Sequence, residues 1–183
     1  MNKVDNKTRI KVLLYSTQRT GIEDLVSWLD TTDFFEAPAS SKPEYHGCMK
    51  GGLAQHSLNV YDAFEQKAKQ FELDVSPQER IIASLCHDLC KVNFYKPNVL
   101  KKGKLSDAKP YVIEDSFPFG HGEKSVYFAS KKIELTQKEI LLIRWHMGPF
   151  DPQWEMYEKK IAELCPAIHA FHNADYEASK YLD

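Results

Sequence analysis

An adjacent histidine and aspartate, His87-Asp88, at the end of an apolar helix restrict this chain more than any other feature. The helix is signalled by Ser76-Pro77-Gln78-Glu79: Ser76 can cap, Pro77 suits the first helical position and Glu79 can close a capping box. The apolar row Ile81, Leu85 continues into Asp88, which places the carboxylate on the face expected to be buried. A buried ionised aspartate must be paired or coordinate a metal, because an unpaired charge away from water is strongly unfavourable. Lys91 follows one turn on, so an imidazole, a carboxylate and an ammonium surround one point. That combination suits a metal together with an anion. Taken alone, a capped or hydrogen-bonded His-Asp pair explains it equally well, and the rest of the chain has to decide.

With 183 residues and 43% hydrophobic content the chain can bury a real core, and no shift in composition divides it, so one domain over residues 1–183 is expected. The net charge of −2 gives no bulk attraction to nucleic acid or to an anionic membrane; Lys101-Lys102-Gly103-Lys104 is only a local basic patch. Any anion site must therefore be built locally. No apolar run spans a bilayer and the N-terminus lacks the apolar core of a signal peptide, so a cytoplasmic location without a membrane partner is expected. The four cysteines, Cys48, Cys86, Cys90 and Cys165, have no CxxC spacing, and Cys86 and Cys90 fall within the proposed helix. This argues against a zinc ribbon or a disulfide framework and reads them as small buried hydrophobes.

Ile10, Leu13 and Leu14, then Ile22, Leu25, Val26 and Leu29, predict two short amphipathic helices around a break at Thr20-Gly21. Residues 33–52 lose this pattern and read as a long loop of the kind that is usually functional. A helix over about 53–71 carries Leu53, Val60 and Phe64 inward, with His56 on the same side; a lone histidine there is ordinarily a satisfied core residue. Asn93-Phe94-Tyr95-Lys96 and Pro110-Tyr111-Val112-Ile113 read as strands of a β-hairpin inserted at about 93–115, with the basic patch at its tip. His121 then stands near the N-terminus of a helix over 126–132. Thr136 and Glu139 form a second capping box, whose helix reaches His146 before Gly148-Pro149 ends it. A further helix begins near Met156. Pro166 can open the last, with Ile168, Phe171, Asp175, Ala178 and Leu182 as its inner row. Asp175 interrupts that apolar row as Asp88 interrupts its own. The fold class is thus mainly α, a helical bundle with a small inserted hairpin.

Four histidines and two aspartates stand out, His56, His87, Asp88, His121, His146 and Asp175; most lie on separate helices, and several lie where apolar residues are expected. Imidazole and carboxylate together suit one or two borderline divalent ions, Mn, Fe, Co, Ni or Zn, with Mg also compatible; the lack of cysteine ligands argues against a purely structural zinc. Helices projecting such groups inward are an established way to build a site in an all-helical domain.

The order His56, His87-Asp88, Asp175 resembles the HD superfamily of metal-dependent phosphohydrolases, and the local contexts are similar as well. Gly51-Gly52-Leu53-Ala54-Gln55-His56 resembles the entry to that family's first ligand helix, His87-Asp88-Leu89-Cys90-Lys91 its core motif and His172-Asn173-Ala174-Asp175 its closing motif. Gly120-His121 and Trp145-His146 resemble the additional histidines of the two-metal branch, which includes the HD domain of YhaM-like exoribonucleases. The likeness covers roughly residues 45–180. The chain departs from the pattern at Cys90, where a small residue is usual, and has no room for the exoribonucleases' oligonucleotide-binding domain, so a nucleotide-sized substrate is expected ahead of RNA.

The resemblance implies that His56, His87, Asp88 and Asp175 hold one metal, and that Asp88 bridges to a second held by His121 and His146. It implies a catalytic centre at Asp88 and Lys91, hydrolysing a phosphate ester or anhydride of a nucleotide-like small molecule through metal-activated water. Lys91 would neutralise phosphate charge, or else be a plain helix-end lysine. Lys124 and Arg144 are weaker phosphate candidates, and His46 is a donor to the phosphate or leaving group or an ordinary turn histidine. His169 reads as surface and His172 as support for the ligands. Tyr45, Phe94, Tyr95, Phe119, Phe150 and Trp154 are candidates to stack a base, or core residues. The alternatives are a phosphodiesterase acting on short RNA, single-stranded DNA or a cyclic nucleotide, and a non-catalytic nucleotide-binding sensor. A homo-oligomer is compatible with all three.

Overall fold

Side-chain caps start three of the helices. Asp5 accepts the Thr8 backbone N–H and caps α1 (Asn6–Ser16); α2 (Ile22–Thr31) follows the break at Gly21. α3 (Gly52–Gln70) carries His56, and α4 (Pro77–Cys86) opens with the expected Ser76–Glu79 capping box. After a small antiparallel ribbon, β1 (Tyr95–Pro97) and β2 (Tyr111–Ile113), come α5 (His121–Ser130) and α6 (Gln137–Trp145), the latter opened by the Thr136–Glu139 box. α7 (Trp154–Leu164) and α8 (Ile168–Glu177) complete the eight α-helices among the described residues. This computed structural model describes residues 5–101 and 103–183, so Lys102 of the basic patch lies outside the described residues. The architecture is mainly α with a small inserted hairpin. No helix among the described residues is long and apolar enough to cross a membrane.

The core is the space between α3 and its neighbours α4 and α8, extended by α6 and α5. Leu53, Leu58, Val60 and Phe64 of α3 are buried there, with the Phe64 and Phe171 rings 4.8 Å apart edge to face. The long 33–52 segment is anchored rather than loose: Phe34, Ala37 and Ala39 are buried, and the Gly51 and Leu53 amides donate to the Glu36 and Ala37 carbonyls at 2.9 and 3.0 Å. A side chain on Gly52 would strike the Gly47 carbonyl, so the segment crosses tightly over the start of α3 and sets His46 beside His56. A side chain on Gly122 would likewise strike the Arg144 carbonyl, so α5 and α6 approach closely enough to bring His121 to His146.

Several expected boundaries shift for identifiable reasons. α4 stops at Cys86, His87 is its C-terminal cap and Asp88 leaves the helical region (φ −107°, ψ 20°), so Asp88, Cys90 and Lys91 belong to a 3-10 turn rather than to the helix. β1 begins two residues later than the strand-like run because Asn93 takes a left-handed conformation (φ 53°), with its amide donating to Asp33 Oδ1 at 2.6 Å. α5 begins at His121 itself, ahead of the expected 126, and α7 at Trp154 rather than Met156. α8 passes into a π-helical turn (Ala178–Leu182), which rotates the expected inner row so that Leu182 is exposed.

Candidate metal centre

Three histidines are wired alike. His87 donates Nδ1–H to the Ser84 carbonyl at 2.8 Å, and His146 donates Nδ1–H to the Ile143 carbonyl at 2.7 Å. Both are C-terminal caps, so each ring folds back onto a carbonyl three residues earlier in its own helix. His56 makes the same bond to a carboxylate, Asp183 Oδ2 at 2.7 Å, and Asn59 Nδ2 holds the other oxygen of Asp183 at 2.7 Å. Each bond fixes Nδ1 as the donor and leaves Nε2 toward a shared centre, the tautomer that a metal ligand needs.

The carboxylates divide that centre. Asp88 Oδ2 lies 3.7 Å from His56 Nε2 and 3.4 Å from His87 Nε2, while Asp175 Oδ1 lies 3.0 and 3.8 Å from the same two atoms. Asp88 Oδ1 faces the other way, 3.0 Å from His121 Nε2 and 3.7 Å from His146 Nε2. The six residues expected as ligands are therefore brought together, with one oxygen of Asp88 turned to each half. His56 Nε2 and His87 Nε2 stand only 3.3 Å apart, a meeting of two nitrogens that requires a proton or a cation between them. Triads of His56, His87, Asp175 and of His87, Asp88, His146 have ligand atoms within 4.8 Å of one another. Mixed imidazole and carboxylate donors at this spacing fit a divalent ion.

The charge balance follows from the packing. Burial opposes the charged form of His56, but hydrogen bonds to Asp175 and Asp183 prevail and raise its pKa to about 9. For His121, burial is likewise outweighed by the Cys90 sulfur and the Asp88 carboxylate, and the value rises to about 10. His146, buried and facing His87 and His121, is pushed down to about 3. Burial would raise both aspartates, yet Lys91 and His87 hold Asp88 well below the carboxylate range, and the His56 hydrogen bond does the same for Asp175. Lys91 Nζ sits on Asp88 Oδ2 at 2.7 Å with its side chain 11% exposed.

Two clefts open onto this centre, and both are lined by Lys91 and His121. The first, about 240 Å³, includes His46, Phe150, His172, Tyr176 and Lys180. His46 Nε2 is buried there without a hydrogen-bond partner, and burial beside His56 lowers the His46 pKa to about 4. The second, about 290 Å³, lies under the base of the hairpin and includes Phe94, Tyr95 and Lys124.

Other expected site residues lie elsewhere or are already engaged. Arg144 lines neither cleft; it is clamped by Glu123 and Asp151, each at 2.6 Å, and stacks on Trp145. Lys124 borders the second cleft but is buried against Asp115 at 2.6 Å and the Phe94 ring. Among the aromatics, Phe150, Phe94 and Tyr95 line clefts, whereas Trp154 is core beside Trp145, Phe119 stacks on Phe117, and Tyr45 is exposed outside both clefts. His172 donates Nδ1–H to the His146 carbonyl (2.8 Å), and His169 is exposed against Trp154. Two residues at the centre are additions to the expected set. Asp183 is separated from His56 by 127 positions and has no local signal, and Cys90, two residues beyond Asp88, is turned inward by the 3-10 turn. The chain matches no family model, no curated protein and no solved structure.

Proposed function

We propose that this protein is a metal-dependent phosphohydrolase of the HD type, holding two divalent ions and acting on a nucleotide-like phosphate ester or anhydride. The observation that carries the reading is Asp88, whose two oxygens face two separate sets of histidines. His56, His87 and Asp175 would complete one position, and His121 and His146 the other. When bound, the ions would supply a water nucleophile at neutral pH and stabilise the attacking and leaving oxygens at phosphorus. Lys91, at the junction of the two clefts, neutralises phosphate charge, exchanging part of its contact with Asp88 for the substrate. His46 offers the cleft an otherwise unpartnered nitrogen, suited to a hydrogen bond with the phosphate or the leaving oxygen. Asp183 orients His56 and keeps its Nε2 inward.

One observation favours a phosphodiester instead. The two clefts meet at Lys91 and His121, so a phosphate seated there has room for a substituent on either side, with Phe94 and Tyr95 beside one of them. Turnover of a panel of mononucleotides, cyclic nucleotides and short oligonucleotides with Mn, Co, Ni, Mg or Zn separates the two readings. Metal analysis tests the shared premise: Asp88→Ala should lose both ions, while His121→Ala and His146→Ala should each retain about one. Parent stoichiometry in all three variants, with the fold intact, would sink the two-ion assignment.

A further inference from the structure

Cys90 has no part in the function proposed above, yet its sulfur lies inside the centre. Cys90 Sγ is 3.7 Å from His121 Nε2 and 3.9 Å from Asp88 Oδ1, and those two atoms are 3.0 Å apart. We infer that Cys90 is a metal ligand: its thiolate, with Asp88 and His121, binds the second ion and makes that position selective for a thiophilic divalent metal such as Zn or Co. The inference rests on the two-ion reading and adds to it a soft donor and a metal preference.

The geometry suits such an ion. Bonds of about 2.3 Å to sulfur and about 2.0–2.1 Å to nitrogen and oxygen, at tetrahedral angles, give edges of roughly 3.4–3.6 Å. The observed triangle differs from this by less than about half an ångström on each edge, within reach of small side-chain rotations. The cysteine is also held in place. It is 4% exposed, and its backbone N–H donates to Ser125 Oγ at 3.0 Å. Ser125 lies one turn beyond His121 on α5, so the same contact that fixes the 3-10 turn sets Cys90 opposite His121. The remaining cysteines, Cys48, Cys86 and Cys165, belong to none of the ligand groups found among the described residues. On binding, the thiol gives its proton to solvent and the sulfur lone pair forms the metal bond, so no oxidant or reductant is involved. Thiolate favours Zn and Co over Mn and Mg, which the imidazole and carboxylate donors alone would not enforce.

The competing account is an N–H hydrogen bond from His121 Nδ1 to the Cys90 sulfur, at 3.3 Å, with the sulfur never meeting a metal. Titration of the chelator-treated full-length chain with Co(II) under reducing, oxygen-free conditions distinguishes the two. A thiolate-to-cobalt charge-transfer band in the near ultraviolet is expected with the second equivalent. It should vanish in both Cys90→Ser and Cys90→Ala and persist in Cys48→Ala. Affinity for the second ion should fall at least roughly tenfold in the Cys90 variants, and the preference for Zn over Mn should narrow. The visible absorption of the first cobalt, retained in these variants, reports that the fold survives. A parent protein that binds two cobalt ions without the band, or a Cys90→Ala protein that keeps it, overturns the inference while leaving the two-ion centre standing. A parent that binds no cobalt overturns both.

Discussion

Lys91 and Asp88 have opposite obligations at the same point, because the ammonium that neutralises Asp88 in this structure also lines the cleft in which, on the proposed function, a phosphate would bind. Lys91→Ala should therefore keep the ions, whose ligands remain, and lower turnover by about tenfold to a thousandfold, roughly 1.4 to 4 kcal/mol of transition-state stabilisation. Unchanged turnover would reduce Lys91 to a counter-charge for Asp88. His56 and His121 lead to a second expectation. With values of about 9 and 10, both hold an extra proton at neutral pH when no metal is present, and each must release it for Nε2 to bind an ion. Filling both positions near pH 7 in weak buffer should release about two protons per chain from these rings, with a further one if Cys90 binds as thiolate, and the release should shrink as the pH approaches 10. An indicator dye measures this directly; no release on full loading would mean that these rings are not ligands. The ligand candidates themselves were legible in the sequence, because a histidine or aspartate at an apolar helical position stands out from its row. Arg144 was misplaced because proximity along the chain to Trp145 and His146 says nothing of Glu123 and Asp151, which claim its guanidinium. Asp183 was illegible for the opposite reason: its whole meaning lies in a partner 127 positions away.

The helices that end at ligands are fixed at their other ends by charge. α4 and α6 each begin with a capping box and end at a ring-folding histidine, His87 or His146. The two boxes are joined, since Thr136 Oγ1 donates to Glu79 at 3.0 Å, and Arg19 reaches across to Glu139 with bonds of 2.7 and 3.0 Å. Glu139 is fully buried, so it serves both as the cap of α6 and as the counter-ion of Arg19. Glu139→Ala should cost about 3 kcal/mol, because the Arg19 charge and the Thr136 amide both lose their partner. Ser76→Ala removes only an exposed cap and should cost about 1 kcal/mol. Urea unfolding of the two variants checks the contrast, and equal losses would mean that Arg19 finds another partner. Both boxes were readable in the sequence because a capping box is a local, four-residue pattern. The end of α4 was not, since no glycine or proline marks Cys86; a tertiary bond from the Cys90 amide to Ser125, with the local Lys91–Asp88 pair beside it, accompanies the change of the next residues to a 3-10 turn. The hairpin was legible in kind, and its start was displaced by Asn93, whose left-handed conformation depends on Asp33 in a distant loop.

At the scale of the molecule, the centre draws its donors from α3, the turn after α4, α5, the end of α6 and α8, so whatever occupies it ties together most of the core-forming helices. The sequence showed several donors on their own rows and His121 at a helix start, but could not show that they converge, because helix order along the chain does not determine which faces meet. Convergence has an electrostatic consequence. Asp88, Asp175 and Asp183 bring three carboxylates around His56 and His87, and without metal their charge is offset by Lys91 and by the protons on His56 and His121. A histidine whose pKa is raised on folding adds stability that is fully present below its unfolded value, about 6.5, and is lost as the pH rises through its folded value. Chelated protein should therefore lose stability from about pH 6.5 upward through the folded values of about 9 and 10. Metal reverses the dependence in that window, because the ion replaces the protons and competes with them less as the pH rises. At a free metal concentration a thousandfold above Kd, the bound state should gain about 4 kcal/mol. Thermal unfolding with chelator and with added metal, followed across this pH range, should show two curves that lie close near pH 6.5 and diverge as the pH rises. Parallel curves would mean that proton and metal do not share His56 and His121, and a chelated protein that grows more stable through the same window would place the opposing carboxylate charge somewhere other than this centre.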